Sequence, residues 1–209
     1  MTDITIIGTG NMARGIGTRA SAAGKSLQII GKDINKAAEL AKELNATAGS
    51  LTEVPAGQII VLALPFAAAK DEVTRYGASL TGKVVVDISN PVDYETFDSL
   101  VVAPGSSAAE EIAALTGADV VKAFNTTFSG TLAAGEVSGQ PLDVFIAGDS
   151  MEATSAVSEF VAAAGMRPIA VGGLKHAREL EGFMLLVMGM QVNPDLPEFN
   201  WNTGLKIMG

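Results

Sequence analysis

The chain has 209 residues, enough for one domain with a sizeable core, and with 48% hydrophobic and 18% charged residues it reads as globular rather than disordered. A net charge of −9 argues against general nucleic-acid or anionic-membrane binding, because either favours a basic surface. The lack of cysteine excludes disulfides, thiol nucleophiles and thiolate metal sites.

Residues 4–32 organise the rest. Ile4, Ile6 and Ile7 read as a buried strand that leads into Gly8-Thr9-Gly10-Asn11-Met12-Ala13, a G-x-G-x-x-A pattern. A helix follows through Arg14 to about Ala23, Gly24 stops it, and residues 27–30 make a second apolar strand before Gly31-Lys32-Asp33. In this strand, turn, helix and strand setting the pattern reads as a dinucleotide phosphate site. Gly8 permits the turn, Gly10 removes the Cβ that would strike the pyrophosphate, and Ala13 lets the helix lie close to the strand. The unpaired N–H groups of the first helical turn then face the phosphates.

No apolar run approaches the ~18 residues of a membrane span. The first strand also begins too early to leave room for a secretory signal, so a soluble cytoplasmic protein is expected.

Along the chain, residues 35–45 carry Ala38, Leu40, Ala41 and Leu44 at helical spacing. Residues 51–57 read as a connector and 58–64 as a strand buried on both faces, ended by Pro65. A helix over 67–76 and a strand over 83–88 follow, the latter leading to Ser89-Asn90-Pro91. Residues 93–102 read as either a helix fragment or a loop, and 107–115 as a helix with Glu110 and Glu111 near its start. A strand over 120–124 leads into Asn125-Thr126-Thr127. Beyond it come a strand over 142–147, a helix over 151–164 and a last central strand over 168–171.

The final helix, 174–191, carries Leu180, Phe183, Met184, Val187 and Met188 as a wide apolar stripe, read as core or as a dimer seam. Residues 201–208 read as an edge strand or a short cover. The alternation of strands and helices predicts an α/β Rossmann-type, doubly wound, mainly parallel sheet with a small C-terminal helical extension. Residues 1–173 would form the dinucleotide-binding domain, with 174–209 packed on it rather than independent.

Ligands of such sheets sit beyond the carboxyl ends of the strands. Those ends here are residues 8–12, 31–33, 64–66, 89–91 and 125–127, which supply small, hydroxyl and amide side chains with one lysine, one aspartate and one phenylalanine. No Ser/His/Asp set or metal cluster is among them. Hydride transfer between two bound rings needs neither, since it is a positioning task. At the end of the second strand Gly31 occupies the place of the usual ribose-binding acid, with Lys32 next and Thr9 opposite, which favours NADP over NAD. A shift of two residues would instead make Asp33 the ribose ligand. His176, the sole histidine, reads as structural rather than catalytic. Asp87 needs a partner within its buried strand, and Glu110, Glu111, Glu179 and Glu181 read as solvated helix charges.

The stretches Ile6 to Ala13, VLALPF (61–66), VVVDISNP (84–91), VVKAFNT (120–126) and VFIAGD (144–149), with Arg178 to Leu180 and the closing Gly204-Leu205-Lys206, resemble the NADPH-dependent reductases of the deazaflavin coenzyme F420. They are also similar to the cytosolic reductase domain of six-transmembrane ferric reductases. The resemblance implies a homodimer that exchanges hydride between NADP(H) and a small-molecule acceptor, a flavin or deazaflavin. It also implies that Thr9, Gly10, Asn11, Met12 and Lys32 hold the adenosine and phosphates, beside the Gly8 and Gly31 that the glycine turn and the second strand's end place at the cofactor. Leu64, Pro65, Phe66, Asn90, Asn125 and Thr126 would line the nicotinamide end. The family's serine and paired arginines after the second strand stand here as Gly31, Lys32 and Asp33, and Thr126-Thr127-Phe128 replaces a segment that tends to carry a proline. β-Hydroxyacid dehydrogenases and imino-acid reductases resemble the chain only in the first domain. A non-catalytic NAD(P)H sensor is the alternative from another class.

Overall fold

The computed structural model describes residues 2–208. Its elements, in chain order, are β1 (Ile4–Ile7), α1 (Asn11–Ala22), β2 (Leu27–Gly31), α2 (Ile34–Glu43), β3 (Thr47–Ser50), β4 (Ile59–Leu62), α3 (Phe66–Tyr76) and β5 (Val84–Asp87). They continue with α4 (Ala108–Ala113), β6 (Asp119–Lys122), α5 (Ser129–Leu132), β7 (Glu136–Val137), β8 (Gln140–Pro141), β9 (Asp143–Gly148), α6 (Met151–Ala163), β10 (Arg167–Gly172) and α7 (Ala177–Val192).

Eight strands form one sheet in the order β10-β9-β6-β5-β4-β1-β2-β3. β1 pairs in parallel with both β2 and β4, so the chain winds outward first in one direction and then in the other. That reversal puts a crevice beyond the carboxyl ends of β1 and β4, where ligands of doubly wound sheets sit. The core follows from the two-residue period of the strands. Ile6, Ile29, Val61, Val86 and Val121 face α1, α2 and α6, while Ile7, Ile30, Leu62, Val85 and Val120 face α3 and α4. Both faces are covered, which is why these strands read as continuous apolar runs.

The fold class is the one expected, with local corrections. β9 runs antiparallel to β6, and β10 lies at the sheet edge rather than at its centre. Its Pro168 suits an edge, where a missing N–H leaves no gap in a ladder. Residues 93–102, for which the sequence leaves a helix fragment and a loop both open, form a loop pinched by a Val92–Leu100 bridge. β3, α5 and the β7–β8 hairpin carry no apolar run that the periodicity could detect. The hairpin turns on Ser138 and Gly139, both with positive φ, the geometry that a tight two-residue loop demands.

α7 divides its apolar surface. Met184, Val187 and Met188 pack with Val92 and Phe128 in a third cluster. Phe183 and Leu186 stay exposed.

Candidate functional site

The glycine turn is built by two different needs. Gly8 has φ +129°, and a Cβ there would fall 2.2 Å from the carbonyl oxygen of Ala63. Its glycine therefore serves the close approach of the β1 and β4 ends as well as the turn. Gly10 has an ordinary φ of −82°, and nothing lies within 4 Å of where its Cβ would be. The open space is on the side where α1 begins. Among the described residues no side chain caps α1, so the first N–H groups of this helix remain available to an anion. Ala13 is fully buried against the sheet.

At the far end of β2, Gly31 meets Thr9: a Cβ on Gly31 would come 2.8 Å from Thr9 Cγ2. Lys32 is exposed beside them. Asp33 is engaged elsewhere, because its Oδ1 accepts the Asn35 N–H at 2.9 Å and the Lys36 N–H at 3.4 Å, capping α2.

The carboxyl ends of β1, β4, β5 and β6 surround a cavity of about 340 Å³. Gly10, Asn11 and Met12 line one side, Ala63, Leu64 and Pro65 another, and Ile88, Ser89, Asn90 and Asn125 the floor. Tyr94, Thr127, Phe128, Ser129, Met188 and Trp201 complete the wall. Seven residues expected at the site thus converge there: Gly10, Asn11, Met12, Leu64, Pro65, Asn90 and Asn125. Phe66 stands just outside, half-buried, with Lys70 Nζ 5.1 Å above its ring. Thr126 is buried behind Asn125, and Thr127 takes the lining position.

Asn90 and Asn125 hold each other. Asn90 Nδ2 donates to the Asn125 carbonyl at 2.9 Å, and Asn125 Nδ2 donates to Asn90 Oδ1 at 3.0 Å. The loop carrying Asn125 leaves β6 through Phe124, a buried residue with φ +62°. That left-handed conformation costs a non-glycine residue about 1 kcal/mol. Its carbonyl accepts both the N–H and the hydroxyl of Thr127, at 3.0 and 2.7 Å, and the Phe124 ring packs 5.9 Å from Phe160. Two buried polar atoms of cavity-lining residues, Ser89 Oγ and Asn125 Oδ1, have no hydrogen-bond partner among the described residues. Unpaired buried polar atoms are costly unless something else meets them. With the open face at Gly10, they fit a ligand whose phosphates lie at α1 and whose amide end lies between β5 and β6.

Below the floor is a group that the sequence pattern did not reveal. Lys122 is fully buried, and its Nζ donates to Asp87 Oδ2 at 2.7 Å, to Glu181 Oε1 at 2.7 Å and to the Ser89 carbonyl at 2.5 Å. Glu181 also accepts the Ala108 N–H at 2.9 Å. Burial pushes the Glu181 carboxyl above its ordinary pKa, against the pull of Lys122. Asp87 thus has the structural partner it needed. Glu181, expected in solvent, is instead fully buried because α7 lies over α4 and the β5–β6 ends. Nothing in single-residue chemistry signals this, since a charge on a helix is usually solvated. Glu110 pairs with Arg178, whose hydrogen bonds hold its carboxyl below the usual range, and Glu111 pairs with Lys70. His176 ends a short turn before α7, 3.3 Å from Glu179 and outside the cavity lining.

Residues 3–91 match the family model described as NADP oxidoreductase, coenzyme F420-dependent. The chain is 32% identical over 186 residues to metalloreductase STEAP3 from Rattus norvegicus, covering 88% of this chain and 37% of that protein, so it spans little more than a third of that relative's length. It is 26% identical to the F420-dependent NADP reductase of Methanothermobacter marburgensis, covering 96% of this chain and 95% of the relative. A solved structure from Arthrobacter sp. FB24, described as a candidate F420-dependent NADP-reductase, superposes over 100% of both chains with a TM-score of 0.85 at 22% identity, which shows the shared fold. In sequence the chain resembles the coenzyme F420-dependent NADP reductases over most of its length, and its residues 3–91 carry the match to that family's model.

Proposed function

We propose that the protein transfers hydride between NADP(H) and a flavin or deazaflavin, and that it does so by positioning. The observation that carries this reading is the cavity running from the bare Gly10 face of α1 to the paired Asn90 and Asn125, with Ser89 Oγ and Asn125 Oδ1 left to meet a ligand amide. NADPH supplies the hydride when bound, and the chain's part is to hold two flat rings in contact. In that arrangement Thr9, Gly10, Asn11 and Met12 bind the phosphates. Gly8 keeps the β1 and β4 ends close, and Gly31 with Lys32 accommodates the 2′-phosphate. Leu64 and Pro65 form the apolar side of the nicotinamide end, with Phe66 just outside, and Asn90 and Asn125 form its polar side, with Thr127 in the lining position in place of Thr126. Tyr94 is the one titratable side chain among the described residues that line the cavity, in keeping with a step that moves no proton through the protein.

The engagement of Asp33 Oδ1 at the α2 cap favours NADP over NAD, since the cap holds that side chain toward its own helix. We further infer a Rossmann domain over 1–173 with 174–209 packed on it. We also infer a cytoplasmic homodimer seated on the exposed Phe183 and Leu186 of α7. Among the described residues no helix is long and apolar enough to cross a membrane.

Steady-state oxidation of NADPH with the deazaflavin coenzyme, FMN and ferric complexes tests the reading. Turnover on at least one flat acceptor is expected. Saturable nucleotide binding without turnover on any of them would make the chain a nucleotide sensor instead.

A further inference from the structure

Residues 200–207 form one turn and no regular strand, yet they are fastened to the body at successive points. Gln191 Nε2 donates to the Asn200 carbonyl and Thr131 Oγ1 to the Thr203 carbonyl, each at 3.1 Å. Lys206 Nζ donates to Pro141 O and Asp143 Oδ1, both at 2.9 Å, and Asp143 Oδ2 accepts the Ile207 N–H at 2.8 Å. Two glycines make room along the path. A Cβ on Gly130 would lie 2.8 Å from the Trp201 carbonyl, and one on Gly204 would lie 2.6 Å from Val137 Cγ1. The segment is a cover, one of the two roles expected for it, fastened by hydrogen bonds along its length.

What this strap delivers is Trp201. The indole stands edge to face with Phe128 at 6.1 Å, beside Met188, on the wall of the cavity. It is still 45% exposed. An indole packed against one aromatic ring and left half open offers apolar surface on the cavity wall, and aromatic side chains take up flat rings in offset or edge-to-face pairs. We propose that Trp201 is a specificity-determining residue on the acceptor side, the surface on which the flat ring of a flavin or deazaflavin lies. This rests on the function proposed above.

The chain contains a single tryptophan, so indole emission reports this side chain alone. FMN and 5-deazariboflavin are titrated into protein saturated with NADP⁺, reading indole emission in the wild type and heat of binding in all variants. Trp201→Ala is expected to weaken binding of either ring about tenfold, the upper range of an aromatic pair, while Trp201→Phe recovers most of the affinity. NADP⁺ affinity is expected to stay the same in both, and the acceptor KM to rise in Trp201→Ala more than kcat falls. Equal ring affinity in Trp201→Ala and wild type would overturn the inference. So would an NADP⁺ affinity that falls in step with ring affinity, since that marks a structural role. Turnover that ignores Trp201 removes this inference and leaves the proposed function standing. Ring binding that depends on Trp201 without any NADPH oxidation does the reverse.

Discussion

Lys122 Nζ and Glu181 Oε1 lie 2.7 Å apart with both side chains fully buried, and this pair ties α7 to the sheet directly beneath the Ser89 and Asn90 loop. Removing Glu181 leaves Lys122 its Asp87 partner, but it takes away one of the three acceptors of Nζ and strands the Ala108 N–H. Glu181→Ala is therefore expected to cost about 1–3 kcal/mol of stability, the range for buried donors left unsatisfied, and Glu181→Gln less, because the amide oxygen can still accept from Lys122. Urea unfolding measures both. A loss below about 1 kcal/mol for Glu181→Ala, the value of an exposed pair, would show that the network carries little.

Lys32 and Asp33 are neighbours with separate duties. Lys32→Ala is expected to weaken NADP binding by roughly 1–2 kcal/mol, the range of a charge-assisted contact, and to leave NAD binding unchanged. Asp33→Ala should cost about 1 kcal/mol of stability through the lost α2 cap, with no change in the preference between the two nucleotides. Calorimetric titration of each variant with NADP and NAD checks this, and weaker NAD binding in Asp33→Ala would make that carboxylate a ribose ligand after all.

Gly31 and Thr9 form a matched pair. A side chain at residue 31 collides with Thr9 Cγ2, so Gly31→Ser is expected to lose roughly 1–3 kcal/mol of stability, as overpacked sites do. Combining it with Thr9→Ser removes the colliding methyl and should recover most of that loss. Thermal melts of the single and double variants supply the comparison, and additive losses would show that the two residues are not coupled.

Asp143 latches the C-terminal strap. Burial would raise its pKa, but the hydrogen bonds from Arg167 and the Ile207 N–H, together with Lys206, outweigh this and hold it at about 2. A folded-state pKa below the unfolded value near 3.8 means the stabilisation is fully present above that pH and is lost as pH falls through about 2. The contribution is on the order of 2 kcal/mol. Between pH 4 and 2, wild type should therefore lose more stability than Asp143→Asn, whose latch does not titrate. Parallel pH dependence of the two proteins would contradict the assignment.

The parts of the molecule that repeat a period were legible in the chain itself. Ile4 to Ile7, Leu27 to Ile30 and Val84 to Asp87 are apolar because both faces of the sheet are covered, and the glycine turn sits where the first of them ends. Nine residues of the strand ends, Gly10, Asn11, Met12, Leu64, Pro65, Ser89, Asn90, Asn125 and Thr127, line the cavity. β3, α5 and the β7–β8 hairpin were not legible because their residues are short, small or exposed. Lys122 and Glu181 escaped for a different reason: their burial depends on α7 crossing α4, a contact between residues 59 positions apart in the chain that no local pattern encodes. Tyr94, Phe128, Met188 and Trp201 join the cavity from loops and the last helix, away from the strand ends that guided the sequence reading.

The central claim is that hydride passes directly between two rings held in one cavity. NADPH deuterated at nicotinamide C4 can be incubated with the protein and a 5-deazaflavin, whose reduced C5 retains the transferred hydrogen, and the product examined by mass spectrometry. Label recovered at C5 of the reduced ring is the predicted result, and label lost to water, or no reduction of the ring, would contradict it.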